Sequence, residues 1–173
     1  MNGIFIVAEL EGPIAARIHA LQERFDPKLA AELPPHVTVL GSSGAGPVAP
    51  DTPVAELRAA IEPIAAATPP LALRFGAPMR FLGREIVSLP LDPHGPLRAL
   101  HEALKASGLR CAVARYPFTP HCTLNFYKTI TPESLREMLA VREGEPWTLH
   151  RLRVYHSRDP QPPRHLFDAV LAG

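Results

Sequence analysis

The chain has 173 residues and a formal net charge of +1, with 46% hydrophobic and 20% charged residues. A chain of this size buries roughly 70% of the surface it would expose unfolded, so it needs no disulfides or metals to hold a core. Near-neutral charge excludes a broad basic footprint for duplex DNA or an anionic membrane. Cys111 and Cys122 are too few for a disulfide framework, and no apolar run approaches the ~20 residues that span a bilayer. The N-terminus lacks the basic, apolar and small-residue succession of a secretory leader. A cytoplasmic protein with reduced thiols is expected, folded as a single domain over residues 1–173.

In chain order, residues 4–10 form a short branched and aromatic run that reads as a strand. Residues 12–26 carry Ile14, Ile18, Leu21 and Phe25 at helical spacing, with Pro13 near the start. Residues 36–40 read as a strand, and the glycine-rich 41–53 as a flexible loop at a cleft mouth. A helix over 53–67 has Asp51 or Thr52 as its cap and Pro63 as a kink or stop. Strands are predicted at 71–78 and 85–91. A helix over 94–108 follows, with Leu97, Leu100 and Leu104 on one face and Gly108 as its stop. Residues 121–127 read as a strand, and 131–140 as a helix capped by Thr131. Residues 147–157 read as one long strand with Trp147, Leu149, Arg151, Arg153 and Tyr155 on one face, and 165–173 as a closing strand. Helices and strands mix throughout, which points to an α+β fold of two similar lobes. The 21 prolines are spread along the chain and punctuate elements rather than mark a disordered tail.

One pattern occurs twice: "PHVTVL" from Pro35 and "PHCTLN" from Pro120. Alternate side chains of a strand share a face. His36 and Thr38 therefore point one way, as do His121 and Thr123, while Val37, Val39, Cys122 and Leu124 point to the core. Brought together across a cleft, two imidazoles that titrate near ~6.5 serve as acid and base. The two hydroxyls hydrogen-bond anionic oxygens. A phosphoryl group suits such a site, and no metal or other cofactor is called for.

These paired motifs resemble the 2H phosphoesterase superfamily, which includes the bacterial RNA 2′,3′-cyclic phosphodiesterases, also called 2′-5′ RNA ligases. The resemblance covers the layout of the whole chain. It implies a bilobal, pseudo-twofold arrangement of two antiparallel sheets with flanking helices around a central cleft. It also implies metal-independent opening of 2′,3′-cyclic phosphates on a nucleotide or an RNA end. His36, Thr38, His121 and Thr123 match the family motifs, and the resemblance makes His121 the water-activating base and His36 the acid. Many RNA-ligase-like members place arginine where this chain has Phe126; Lys128, Arg115 or Arg153 are the candidates to replace it. That departure weighs against 2′-5′ ligation and long RNA more than against phosphoesterase chemistry.

Other readings are weaker. A non-catalytic module binding nucleotides or RNA ends and a 2′-5′ RNA ligase are the alternatives in function. Zinc needs three or four protein ligands, and neither motif holds a carboxylate. His94 and His101 read as surface residues of a helix. Cys122 reads as a buried structural thiol. Phe126, Tyr127 and Tyr155 are candidates to stack on a base.

Overall fold

The computed structural model describes residues 2–173. Among these residues five helices and nine strands are interspersed. The elements are β1 (Asn2–Glu9), α1 (Gly12–Phe25), α2 (Pro27–Glu32), β2 (His36–Leu40), α3 (Val54–Ala66), β3 (Leu71–Leu73) and β4 (Met79–Arg80). There follow β5 (Val87–Pro90), α4 (Pro96–Lys105), β6 (His121–Asn125), α5 (Pro132–Leu139), β7 (Trp147–Leu149), β8 (Arg151–Arg158) and β9 (Gln161–Val170). Seven strands form one antiparallel sheet in the order β4-β5-β6-β2-β1-β8-β9, and β3 pairs with β7 in a small second sheet. The α+β class is as the sequence predicts. The halves β9-β8-β1-β2 and β6-β5-β4 meet at β2–β6, where Val37 and Cys122 are the register partners. The two expected sheets are thus joined at their seam into one.

The helices cross between halves. The α1 helix follows β1 but packs on β6, whereas α4 follows β5 but packs on β2. Ile14 and Ile18 of α1, Leu97, Leu100 and Leu104 of α4, and Leu57 and Ile61 of α3 are buried in one core with Val37, Val39, Cys122 and Leu124. A smaller core joins Phe25, Val87 and Met138. The opposite alternation on β2 and β6 leaves His36, Thr38, His121 and Thr123 half-buried.

Several boundaries differ from the sequence reading, some through local caps and some through contacts distant in sequence. The helix over 12–26 ends at Phe25 because Asp26 caps α2, its Oδ1 accepting from the Leu29 amide at 3.2 Å. Residues 147–157 break at His150: β7 pairs with β3, while β8 pairs with β1 and β9. The 71–78 strand keeps its ladder over Leu71–Leu73. Phe75 then turns inward against Trp147, with ring centroids 5.6 Å apart. Neither Asp51 nor Thr52 caps α3; Asp51 pairs with Arg110, and the Thr52 hydroxyl donates to the Ala49 carbonyl. Pro63 lies inside the last turn of α3, which runs on to Ala66. Thr131 does cap α5, in a reciprocal box with Ser134.

The glycine-rich loop is pinned rather than free. The Gly44 and Gly46 amides donate to Tyr116 and Ala112. Gly44 has φ +73°, and a Cβ there would stand 2.3 Å from His101 Nε2. His101 is not a surface residue: it is fully buried, stacked on Phe118 at 3.9 Å, because the loop and α4 close over it. His94 is exposed.

Candidate active site

Each motif histidine is set by the proline before it. A proline pushes the residue ahead of it into extended backbone, which brings the carbonyl two residues before the histidine within reach of its ring. His36 Nδ1 lies 2.8 Å from the Pro34 carbonyl, and His121 Nδ1 lies 2.7 Å from that of Thr119. A carbonyl oxygen only accepts, so both Nδ1 atoms carry the proton and both Nε2 atoms keep their lone pairs for the cleft. The strands alongside tie down the prolines: the Leu10 amide donates to Pro35 O and the Leu91 amide to Pro120 O, both at 2.9 Å.

Continuing the antiparallel register out from Val37–Cys122 sets His36 opposite Thr123 and Thr38 opposite His121. The four side chains share one face, with the histidines on a diagonal of roughly 7–8 Å between backbones. From beneath, Gln22 of α1 donates to the Thr123 carbonyl at 2.7 Å, and His101 of α4 donates through Nδ1 to that of Val39 at 2.7 Å. Each motif strand is therefore braced from beneath by a helix side chain on a backbone carbonyl, at Thr123 in one and at Val39 in the other.

Burial pushes both imidazoles below the ordinary histidine value. Their Nδ1 bonds act in the opposite direction. Glu9 favours the His36 cation, whereas a charged His36 disfavours that of His121. Cys122 lies on the far face, fully buried, and burial raises its thiol to about 12. It is unsuited to nucleophilic work.

Three residues near the histidines were missed from the sequence. Glu9 of β1 is the register partner of His36. Its carboxylate accepts from Arg153 Nη1 at 2.6 Å and from the Tyr155 hydroxyl at 2.8 Å. Phe81, at the β4–β5 turn, stands edge-on to His121 with centroids 5.0 Å apart. Ser88 of β5, partner of Thr123, is fully buried beside it. Adjacent-strand neighbours of this kind are visible in sequence only once strand order is known.

The three aromatic candidates are placed differently. Phe126 and Tyr127 lie beyond the far end of β6, their amides on Asp26 Oδ2 at 2.8 and 2.7 Å. The Tyr127 hydroxyl is taken by Glu32. Tyr155 is near the site but packed, 8% exposed, with its hydroxyl on Glu9. Among the arginine substitutes, Arg153 is engaged by Glu9, Glu11 and Asp168. Arg115 lies over the Tyr116 ring. Among the described residues, no group of three or more His, Cys, Asp and Glu side chains is placed to hold a metal ion, and no helix is long and apolar enough to cross a membrane.

Solved structures share this architecture. TT0787 of Thermus thermophilus superposes with a TM-score of 0.71 at 20% identity, over 100% of this chain and 99% of that one. E. coli LigT complexed with NADP+ superposes with a TM-score of 0.63 at 19% identity, over 99% of each chain. LigT complexed with 3′-AMP gives 0.59 at 18%, over the same shares. The sequence has no match among curated proteins. The family model for the 2′-5′ RNA ligase superfamily matches residues 10–161, a span that holds both histidine motifs. The chain belongs to the 2′-5′ RNA ligase superfamily, the 2H phosphoesterases.

Proposed function

We propose that this protein is a metal-independent cyclic phosphodiesterase that opens 2′,3′-cyclic phosphates of nucleotides or RNA ends by histidine acid–base catalysis. The carrying observation is the pair of imidazoles on one sheet face, each with Nδ1 on a backbone carbonyl and a threonine beside it. The phosphoryl group sits between them. Neutral His121 takes a proton from water through Nε2 as the water oxygen bonds to phosphorus. One ribose oxygen then leaves phosphorus and receives the Nε2 proton of charged His36. Thr38 and Thr123 donate to the non-bridging oxygens, where charge accumulates in the transition state. The cyclic diester becomes a monoester, His36 ends neutral and His121 charged, and proton exchange with solvent resets both.

Nucleotide chemistry is supported by the LigT structures, which hold 3′-AMP, NADP+ and ATP. The test is incubation with a 2′,3′-cyclic nucleotide in EDTA, with the monoester followed by phosphorus NMR. Histidine-dependent turnover is expected. Binding without product would leave a nucleotide-binding module in its place.

A further inference from the structure

We propose that Glu9 selects which histidine is the acid: as a positioning residue, it holds the proton on His36 through an oriented ion pair with Arg153. This rests on the acid–base reading above. The two halves agree around the histidines in the Nδ1–carbonyl bonds and the tethered prolines, and each strand is braced by a helix side chain. They part at the neighbouring strand. The register partner of His36 is Glu9, whereas that of His121 is Pro90. One imidazole faces a carboxylate and the other a ring without charge or polar hydrogen, so a nearly symmetric pair becomes unequal.

A lone carboxylate here would repel the phosphate it is meant to help. Arg153 prevents that. Its Nη1 holds Glu9 Oε1 at 2.6 Å, while Tyr155 holds Oε2 at 2.8 Å. Glu11 and Asp168 lie at 3.6 and 3.7 Å from the same guanidinium. Arg153 belongs to β8, beyond β1 as seen from β2, and strands are spaced about 4.8 Å apart. Arg151, also of β8, shares Glu11 and Asp168 with it at 3.1 and 3.6 Å, so the positive charges of this cluster lie on β8, and Glu9 is its carboxylate in register with His36. Glu9 is only 9% exposed, so water screens it weakly.

Other charged or titratable groups around His36 do not reproduce this. His121 on β6 opposes its protonation when charged. His101 of α4 meets β2 at the Val39 carbonyl. His19 and Glu32 line the hollow beside Pro34 and Pro35, and neither is in register with His36. The same geometry explains why Arg153 does not replace the arginine absent at Phe126: its guanidinium is already bound by carboxylates.

The test is the proton NMR titration of carbon-13-labelled histidines in the substrate-free protein, with the His36 signal assigned by its loss in His36→Gln. Glu9→Gln removes the carboxylate in register with His36 and leaves the Arg153 charge in place, and the His36 midpoint falls. Arg153→Met leaves Glu9 uncompensated, and the midpoint rises. Opposite shifts from the two halves of one ion pair are not what loss of packing produces. Glu9→Asp keeps the charge but draws it back, so its shift follows Glu9→Gln and is smaller. With 2′,3′-cyclic AMP as probe, the kcat/KM deficit of Glu9→Gln grows as pH rises from about 5 and levels off by about pH 7, where charged His36 is scarce in both proteins. Shifts of the same sign in both variants, or an unmoved His36 signal in folded Glu9→Gln, overturn the inference. The titration needs no turnover, so failure of the phosphodiesterase reading shows separately, as absence of product from the wild-type protein.

Discussion

Val37 and Cys122 are register partners across β2 and β6, and through them two half-sheets become one. Both side chains enter the core, so the residues on either side of them, His36, Thr38, His121 and Thr123, must face the other way. The face that holds the candidate site follows from a packing seam. The consequences can be measured.

His36→Ala and His121→Ala are each expected to lower kcat on a 2′,3′-cyclic nucleotide by about 10²–10⁴, the usual share of a general acid or base. The double variant should be little worse than either single one, because the two act as a unit. Thr38→Val and Thr123→Val, which keep shape and remove the hydroxyl, should each cost about 10²–10³. Steady-state kinetics on folded variants decides; wild-type rates in both histidine variants would end the proposed mechanism.

The pH profile should be a bell displaced to the acid side of the ordinary histidine value of ~6.5. Burial lowers both imidazoles. Toward low pH, His121 takes up a proton and ceases to be a base; toward high pH, His36 loses its proton and ceases to be an acid. Both limbs therefore move down together. A kcat/KM maximum above roughly pH 7.5 would contradict the arrangement.

His101 links stability to pH through a site away from the cleft. It is fully buried, and burial depresses its folded value. The unfolded chain thus binds a proton that the folded one resists, so stability is complete above ~6.5 and falls as pH drops below it. His36 and His121 contribute with the same sign. His101→Ala should cost about 2–4 kcal/mol through the cavity and the lost Val39 bond. It should also flatten the fall of Tm between about pH 6.5 and 5, read by thermal melts. An unchanged slope would assign the acid sensitivity elsewhere.

Asp26 ties the first half to the end of β6. Its carboxylate accepts from the amides of Leu29, Phe126 and Tyr127. Burial acts to raise it, but these bonds prevail and hold it below the usual carboxylate range. Its contribution is present above ~3.9 and is lost as pH falls through the lower folded value. Asp26→Ala should cost about 2–4 kcal/mol, one helix cap and two stranded amides. Denaturant unfolding checks it; a cost under about 0.5 kcal/mol would show that water replaces the carboxylate.

The catalytic candidates were legible because strand alternation is local. "PHVTVL" and "PHCTLN" state on their own which residues turn to solvent and which to the core. The proline ahead of each histidine is equally local, as is the Thr131 cap of α5. Everything that makes the two histidines unequal is not. Glu9 sits one strand from His36 because β1 pairs with β2, and Arg153 reaches Glu9 because β8 pairs with β1. Phe81 meets His121 through a hairpin turn, and His101 is buried by a loop some sixty positions earlier in the chain. Periodicity reports which way a side chain points; what it meets there depends on strand order and register, which the whole chain sets through the packing of its core.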